Sequence, residues 1–225
     1  MDKIKAVECM VTWQGEVFPG KRVLLIRFKS CNRRCHYCDT QSKINNFVEG
    51  EYSLYEIQSL LTSKNLDLLI TGGETTFGVN LDYTKKLLNK TTCGKKYVET
   101  NGYDLLTLYY SCCIHNTNVV YIYSPKVFCN NDKWIEVSKT KEFLKVIRDD
   151  ELIIKIVYNE FSEPYVREIY NAIKDDKNIP KPNIYVIPEG KTGDKVLLSA
   201  KEAFKFADEY NLNISTRMHL VHEFY

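Results

Sequence analysis

The chain has no apolar run near the roughly 18 residues that a membrane span requires. Its apolar stretches are short, as in "VLLI" (23–26) and "ELIIKIVY" (151–158), the second interrupted by Lys155. Charge of one sign is missing too: 31 lysines and arginines stand against 29 acidic residues. That near-balance leaves no electrostatic footprint for nonspecific contact with nucleic acid or a membrane surface. The start, "MDKIKAVECM", lacks the apolar core and small-residue cleavage site of a secretion signal. No repeat, low-complexity tract or linker divides the 225 residues, a length that suits one sizeable core. These absences predict a single cytoplasmic domain, residues 1–225, acting on a small molecule.

Cysteine is not scarce, but its distribution is uneven. Three of the eight fall in "SCNRRCHYCDTQ" (30–41), and no fourth lies nearby. In a reducing compartment, clustered cysteines point to a metal or to catalysis rather than to disulfides. Cys9, Cys93, Cys112, Cys113 and Cys129 read as packing or surface residues.

β-Branched and apolar runs predict strands at 21–28, 67–71, 95–99, 118–123, 151–158, 183–187 and 213–221. Two capping boxes predict helix starts between them, Ser53 with Glu56 and Ser199 with Glu202. Weaker helical periods cover 80–89, 103–110, 139–147 and 163–174, the last opening near Pro164. The stretch 124–138 is the longest irregular one. Alternation of strand and helix predicts an α/β fold with a parallel sheet, either an open doubly wound sheet or a closed or partial barrel.

In such folds ligands sit at the carboxyl ends of the strands. Here those ends are polar: the cysteine loop (29–41), "TGGET" (71–75), "ETNG" (99–102) and "SPK" (124–126). A structural zinc site wants four closed ligands, and His36, between Cys35 and Cys38, is badly placed to be the fourth. An iron–sulfur cluster held by three thiolates keeps one iron open, and that iron can take a small-molecule ligand.

The spacing Cys31-x3-Cys35-x2-Cys38, with Tyr37 before the last cysteine, resembles the radical S-adenosylmethionine superfamily. "TGGET" is similar to its Gly-Gly-Glu-Pro segment, with Thr75 where proline is usual. Within that superfamily "QGE" (14–16), "IRF" (26–28), "CDT" (38–40), "TGGE", "VETNG" (98–102), "SPK" and "STRMHLV" resemble, in order, 7-carboxy-7-deazaguanine synthases, with Val17 where glycine is frequent. The resemblance implies a modified, incomplete (β/α) TIM-type barrel with parallel strands, usually homodimeric. It implies radical ring contraction of 6-carboxy-5,6,7,8-tetrahydropterin to 7-carboxy-7-deazaguanine with loss of ammonia. S-adenosylmethionine, a 4Fe-4S cluster and Mg2+ are the implied cofactors, and flavodoxin or ferredoxin the kind of electron donor.

Carried onto this chain, the resemblance makes Cys31, Cys35 and Cys38 cluster ligands and Thr40 a magnesium ligand. Tyr37, Gly72, Gly73, Glu74, Glu99, Asn101, Ser124 and Lys126 would surround S-adenosylmethionine, with Glu74 accepting from its ammonium group. Gln14, Glu16, Arg27, Arg217 and His219 would hold substrate. A carboxylate such as Glu16 suits the pterin's pyrimidine edge, which offers an exocyclic amine beside a ring N–H. Arg27 suits the substrate carboxylate if its strand turns it inward. Arg217 and His219 are expected to alternate along a strand, though His219 equally suits a satisfied core histidine. Two other readings stay open: an activase that generates a glycyl radical on a partner enzyme, and a non-catalytic zinc or interaction module.

Overall fold

The structure, a computed structural model, describes residues 3–40, 46–112, 118–126, 133–148, 151–159, 162–174 and 183–222. The chain divides into two compact units, one formed by Met1–Thr12, Arg22–Arg34 and Thr40–Ile122, the other by Trp13–Lys21, Cys35–Asp39 and Tyr123–Tyr225. Cys113, His115 and Cys129 lie outside the described residues.

In the first unit, β3 (Arg22–Phe28), β5 (Asp67–Gly72) and β6 (Lys96–Thr100) run parallel, in register at Phe28↔Gly72 and Ile70↔Val98. Their neighbours are β2 (Glu8–Trp13), beside β3, and β7 (Val119–Tyr123), beside β6. Val23, Leu24, Ile26, Leu68, Ile70 and Val98 are buried on both faces, the near-continuous apolar pattern of a covered parallel sheet. Helices α1 (Leu54–Ser63), α2 (Val79–Lys90) and α3 (Leu105–Cys112) supply the crossovers.

A separate antiparallel pair joins β1 (Lys3–Ala6) to β4 (Gly50–Ser53). These four-residue strands were not expected. Only Ile4 and Ala6 of β1 face the core, too short an alternation to stand out from its surroundings. Ser53 ends β4 and also caps α1: Glu56 N donates to its Oγ at 3.2 Å while Glu56 Oε2 accepts from Ser53 N at 2.8 Å. Buried Lys96 donates to the carbonyls of Leu88 (2.5 Å) and Thr91 (2.7 Å) at the end of α2, satisfying acceptors that a helix terminus leaves open.

In the second unit, β8 (Leu152–Tyr158), β9 (Asn183–Pro188) and β10 (Asn213–Ile214) are parallel in the order β10-β9-β8. Helices α4 (Lys133–Val146), α5 (Glu163–Lys174), α6 (Gly193–Glu209) and α7 (Met218–Val221) accompany them. The α/β class with mostly parallel strands holds, and among the described residues the strands of neither unit close on themselves, as an incomplete barrel requires.

Three local expectations need correction. Ser199 is not a cap: α6 starts at Gly193 after Thr192, and Ser199 Oγ donates to the carbonyls of Glu189 (2.6 Å) and Val196 (3.2 Å) inside the helix. Part of the supposed irregular stretch 124–138 is helical from Lys133 on. The strand expected at 213–221 stops after Ile214; Arg217 is left-handed at φ 52°, and Met218–Val221 is helical. The reason is polar: Met218 N donates to Gly15 O at 2.7 Å and Arg217 Nη1 to Gly190 O at 2.6 Å, bonds that a continuing ladder would forfeit.

Replacing Ser53 by alanine removes the hydroxyl half of the capping box. We expect a loss of about 1 kcal/mol in stability, read as a lower urea midpoint with an unchanged slope.

Candidate functional site

In the first unit, register places the ends of β3, β5 and β6 on one edge, where the cysteine loop begins and "TGGET" and "ETNG" follow. The loops are tied by backbone: Gly73 N donates to Phe28 O and Glu74 N to Ser30 O, both at 2.8 Å. Asn80 Nδ2 adds bonds to Ser30 O (3.0 Å) and Glu74 O (2.9 Å). A Cβ on Gly72, at φ +107°, would overlap the backbone of Phe28, and one on Gly73 the Ser30 carbonyl. Both glycines are therefore required by the approach of the two loops to each other, apart from any ligand.

Glu74 is 1% exposed and anchors this edge. Its Oε1 accepts from Thr76 N (3.0 Å), Thr76 Oγ1 (2.7 Å) and Thr100 Oγ1 (2.5 Å), and its Oε2 from Asn101 N (2.6 Å). Of the four lone pairs of a carboxylate, these bonds leave room only at Oε2. The expected acceptor of an ammonium group is thus first of all an internal clamp.

Asn101 donates to Asn32 Oδ1 at 2.8 Å, bracing the residue after Cys31, while its own buried Oδ1 accepts no hydrogen bond. Glu99 accepts from Thr71 Oγ1 at 2.5 Å, and its carbonyl from Thr75 Oγ1 at 2.9 Å. Thr75 carbonyl in turn accepts from Thr84 Oγ1 at 2.9 Å. Thr75 thus secures by hydrogen bonds a loop that proline would secure by its ring. Arg27 reaches Glu8 Oε2 at 2.5 Å through Nε and Thr40 Oγ1 at 3.1 Å through Nη1. The hydroxyl expected to bind magnesium accepts from a guanidinium here.

The second unit holds a different arrangement. Residues 14–21 form a tight loop, closed by Gln14 N to Lys21 O (2.8 Å) and Gly20 N to Gln14 O (2.9 Å). Gln14 is buried and its Nε2 has no acceptor; Val17 is buried in the core. Gly15 lies against the His219 ring, where a Cβ has no space.

Beside it Glu16 Oε2 takes Lys155 Nζ at 2.5 Å and Glu16 Oε1 takes Arg217 Nε at 2.8 Å. Arg217 also reaches Asp39 Oδ2 at 3.1 Å, and His219 Nε2 lies 3.5 Å from the same oxygen. Burial acts to raise the Glu16 pKa, but the cations Lys155 and Arg217 outweigh it and hold the carboxyl well below the usual range. A depressed carboxylate adds stability above its unfolded pKa and loses it as pH falls through the folded one. This pairing therefore persists through mild acid.

Sequence reasoning missed Lys155 and Asp39. The signal for Lys155 was present: a lysine in the middle of "LIIKIVY" requires a counter-charge when buried.

Elsewhere in this unit, Lys126 Nζ donates to Ser124 Oγ at 2.9 Å, and Tyr123 Oη to buried Glu136 at 2.9 Å. Tyr37 is buried, edge-on to His36 at 5.1 Å. His36 lies 3.6 Å from Glu189, in a cavity of about 300 Å3 lined also by Asn159, Gly190, Lys191 and Lys195.

Cys31 belongs to the first unit and Cys35 and Cys38 to the second. All three are partly exposed thiols outside any disulfide, with Arg33 N donating to Cys31 Sγ at 3.4 Å and Cys38 N to Cys35 O at 3.2 Å. By contrast, burial pushes the Cys9 thiol up to about 11 and raises that of Cys93, which suits inert packing. Among the described residues no three His, Cys, Asp or Glu side chains are gathered as a metal site. Thiolate sulfur is the donor type that an iron–sulfur cluster takes; in the first unit, Asn101 Oδ1 is buried without a hydrogen bond.

No family model matches the chain. Five curated relatives called 7-carboxy-7-deazaguanine synthase do. The protein of Rickettsia prowazekii is 33% identical over 131 residues, 56% of this chain and 52% of the relative. That of Haemophilus influenzae is 37% identical over 101 residues, 43% and 44% of the two chains, and that of Methanothermobacter thermautotrophicus 32% identical over 101 residues, 43% and 40%. The chain spans about half the length of the curated relatives it matches. Among solved structures, Streptococcus suis SuiB shares the fold at 13% identity. Its complex with the precursor peptide SuiA aligns over 84% of this chain and 47% of that one with a TM-score of 0.57; its S-adenosylmethionine complex aligns over 83% and 44% with 0.50.

Glu74→Gln places an amide N–H2 among donors that need an acceptor. We expect about 1–3 kcal/mol of destabilisation, measured by urea denaturation.

Proposed function

We propose that the chain is a radical S-adenosylmethionine enzyme, a 7-carboxy-7-deazaguanine synthase. It would convert 6-carboxy-5,6,7,8-tetrahydropterin to 7-carboxy-7-deazaguanine and ammonia, a carbon–nitrogen lyase reaction. The carrying observation is the Cys31-x3-Cys35-x2-Cys38 loop at the end of β3, in a chain matched by five relatives of that one name. Those matches speak for the synthase over a glycyl-radical activase, and three thiols without a fourth speak against structural zinc.

In this reading Cys31, Cys35 and Cys38 hold the cluster, which together with S-adenosylmethionine supplies an adenosyl radical for hydrogen abstraction. Gly72 and Gly73 keep the loop edge open to backbone approach, and Glu74 holds Thr100 and Asn101 in place. Tyr37, Glu99, Asn101, Ser124 and Lys126 contact the nucleotide, Asn101 through the buried acceptor that has no partner of its own. Gln14, whose buried amide nitrogen also has none, Glu16, Arg217 and His219 bind the pterin. Arg27 takes the substrate carboxylate by exchanging Glu8 for it. Thr40 would ligate magnesium only once Arg27 has turned from its hydroxyl.

The chain acts as one cytoplasmic domain, paired as a homodimer and reduced by a flavodoxin or ferredoxin, without direct contact with nucleic acid. No helix among the described residues is long and apolar enough to cross a membrane.

Anaerobic cluster reconstitution, then incubation with the tetrahydropterin, S-adenosylmethionine and dithionite, should yield 7-carboxy-7-deazaguanine by mass and release one ammonia per product. Cys35→Ala should lose both the iron and the product. Turnover by that variant, or stoichiometric zinc without iron in anaerobically purified protein, would refute the assignment. In the same assay, omission of Mg2+ with rigorous chelation should slow turnover, and an unchanged rate removes Thr40 from the site.

A further inference from the structure

We propose that Lys155 is a positioning residue that keeps Glu16 charged and oriented to accept both donors of the pterin's pyrimidine edge. The proposal rests on the synthase reading and adds to it a residue on β8.

β8 is buried along almost its whole length, with Leu152, Ile153, Ile154 and Ile156 all in the core. A lysine at its centre is costly unless paired, and leucine or valine would serve the strand better. The structure shows what the lysine does instead. Its ammonium meets Glu16 Oε2 at 2.5 Å while Arg217 Nε meets Oε1 at 2.8 Å, with side-chain exposures of only 10% for Lys155 and 7% for Arg217.

Each carboxylate oxygen has two lone pairs, so one bond to each leaves one lone pair per oxygen. That remainder is what a parallel pair of N–H donors needs. A protonated Glu16 would instead offer a hydroxyl to one of those donors, and burial favours the protonated form. The groups facing Glu16 are Lys155 from β8, Arg217 before α7, His219 on α7 and Asp39 from the cysteine loop. Arg217 is shared with Asp39 and with Gly190 O.

Removing the ammonium raises the Glu16 pKa toward the working range. Binding should then survive at alkaline pH and fail as pH falls through the raised value. A lysine that merely supported the fold would weaken binding equally at every pH.

The experiment is anaerobic titration calorimetry of 6-carboxytetrahydropterin into reconstituted protein loaded with S-adenosylmethionine, from pH 5.5 to 8.5. Wild type supplies the reference for titration of the pterin itself. We expect Lys155→Met and Lys155→Gln to lose at least about tenfold more affinity at pH 5.5 than at 8.5 relative to wild type, about 1.4 kcal/mol. Lys155→Arg should restore the wild-type profile. A pH-independent loss, or unfolding of both uncharged variants while Lys155→Arg folds, overturns the proposal and leaves the synthase reading standing. Wild-type protein that binds no pterin overturns the synthase reading and this assignment with it.

Discussion

One buried carboxylate organises the strand-end edge of the first unit. Glu74 receives hydrogen bonds from Thr76, Thr100 and Asn101, and the amides beside it bond to the start of the cysteine loop. A buried carboxylate is costly in isolation and stable when several donors converge on it. Those donors come from two different strand ends, so the same interaction that solvates Glu74 also fixes the loops against each other. Two glycines make the approach sterically possible, and Asn80 and Thr84 extend the fastening into α2. These bonds are made within the protein chain itself.

The second unit solves a different problem. Glu16, Lys155, Arg217 and Asp39 form a charged group in which opposite signs alternate, with His219 at its margin. Such groups add little to stability when compared with apolar packing. Their usefulness lies in direction: a carboxylate held ionised between two cations presents acceptors in a fixed plane.

Thr75 shows how a departure from a familiar motif is absorbed. Proline would restrict the loop through φ alone, whereas the threonine hydroxyl reaches the carbonyl of Glu99 and its own carbonyl takes the hydroxyl of Thr84. The restraint moves from covalent geometry to a pair of hydrogen bonds, one of them buried and the other partly so. Val17, at another departure, is simply buried, which a side chain contributes to a core and a glycine does not.

Local pattern was enough to establish the parallel strands, the polar strand ends and the cap at Ser53, because periodicity and capping are encoded within a few residues. It failed where neighbours distant in the chain decide. Ser199 with Glu202 has the form of a cap, yet the helix begins at Gly193. Arg217 and His219 have the alternation of a strand, yet bonds to Gly15 and Gly190 turn that segment into a left-handed residue and a helix. Glu16 could be read as a candidate from its surroundings, but its partners lie 139 and 201 residues away. Residue type and spacing determine which chemistry is available. Only the folded chain decides which charges are brought out of water together, because a buried ion must find its counterpart wherever the backbone delivers one.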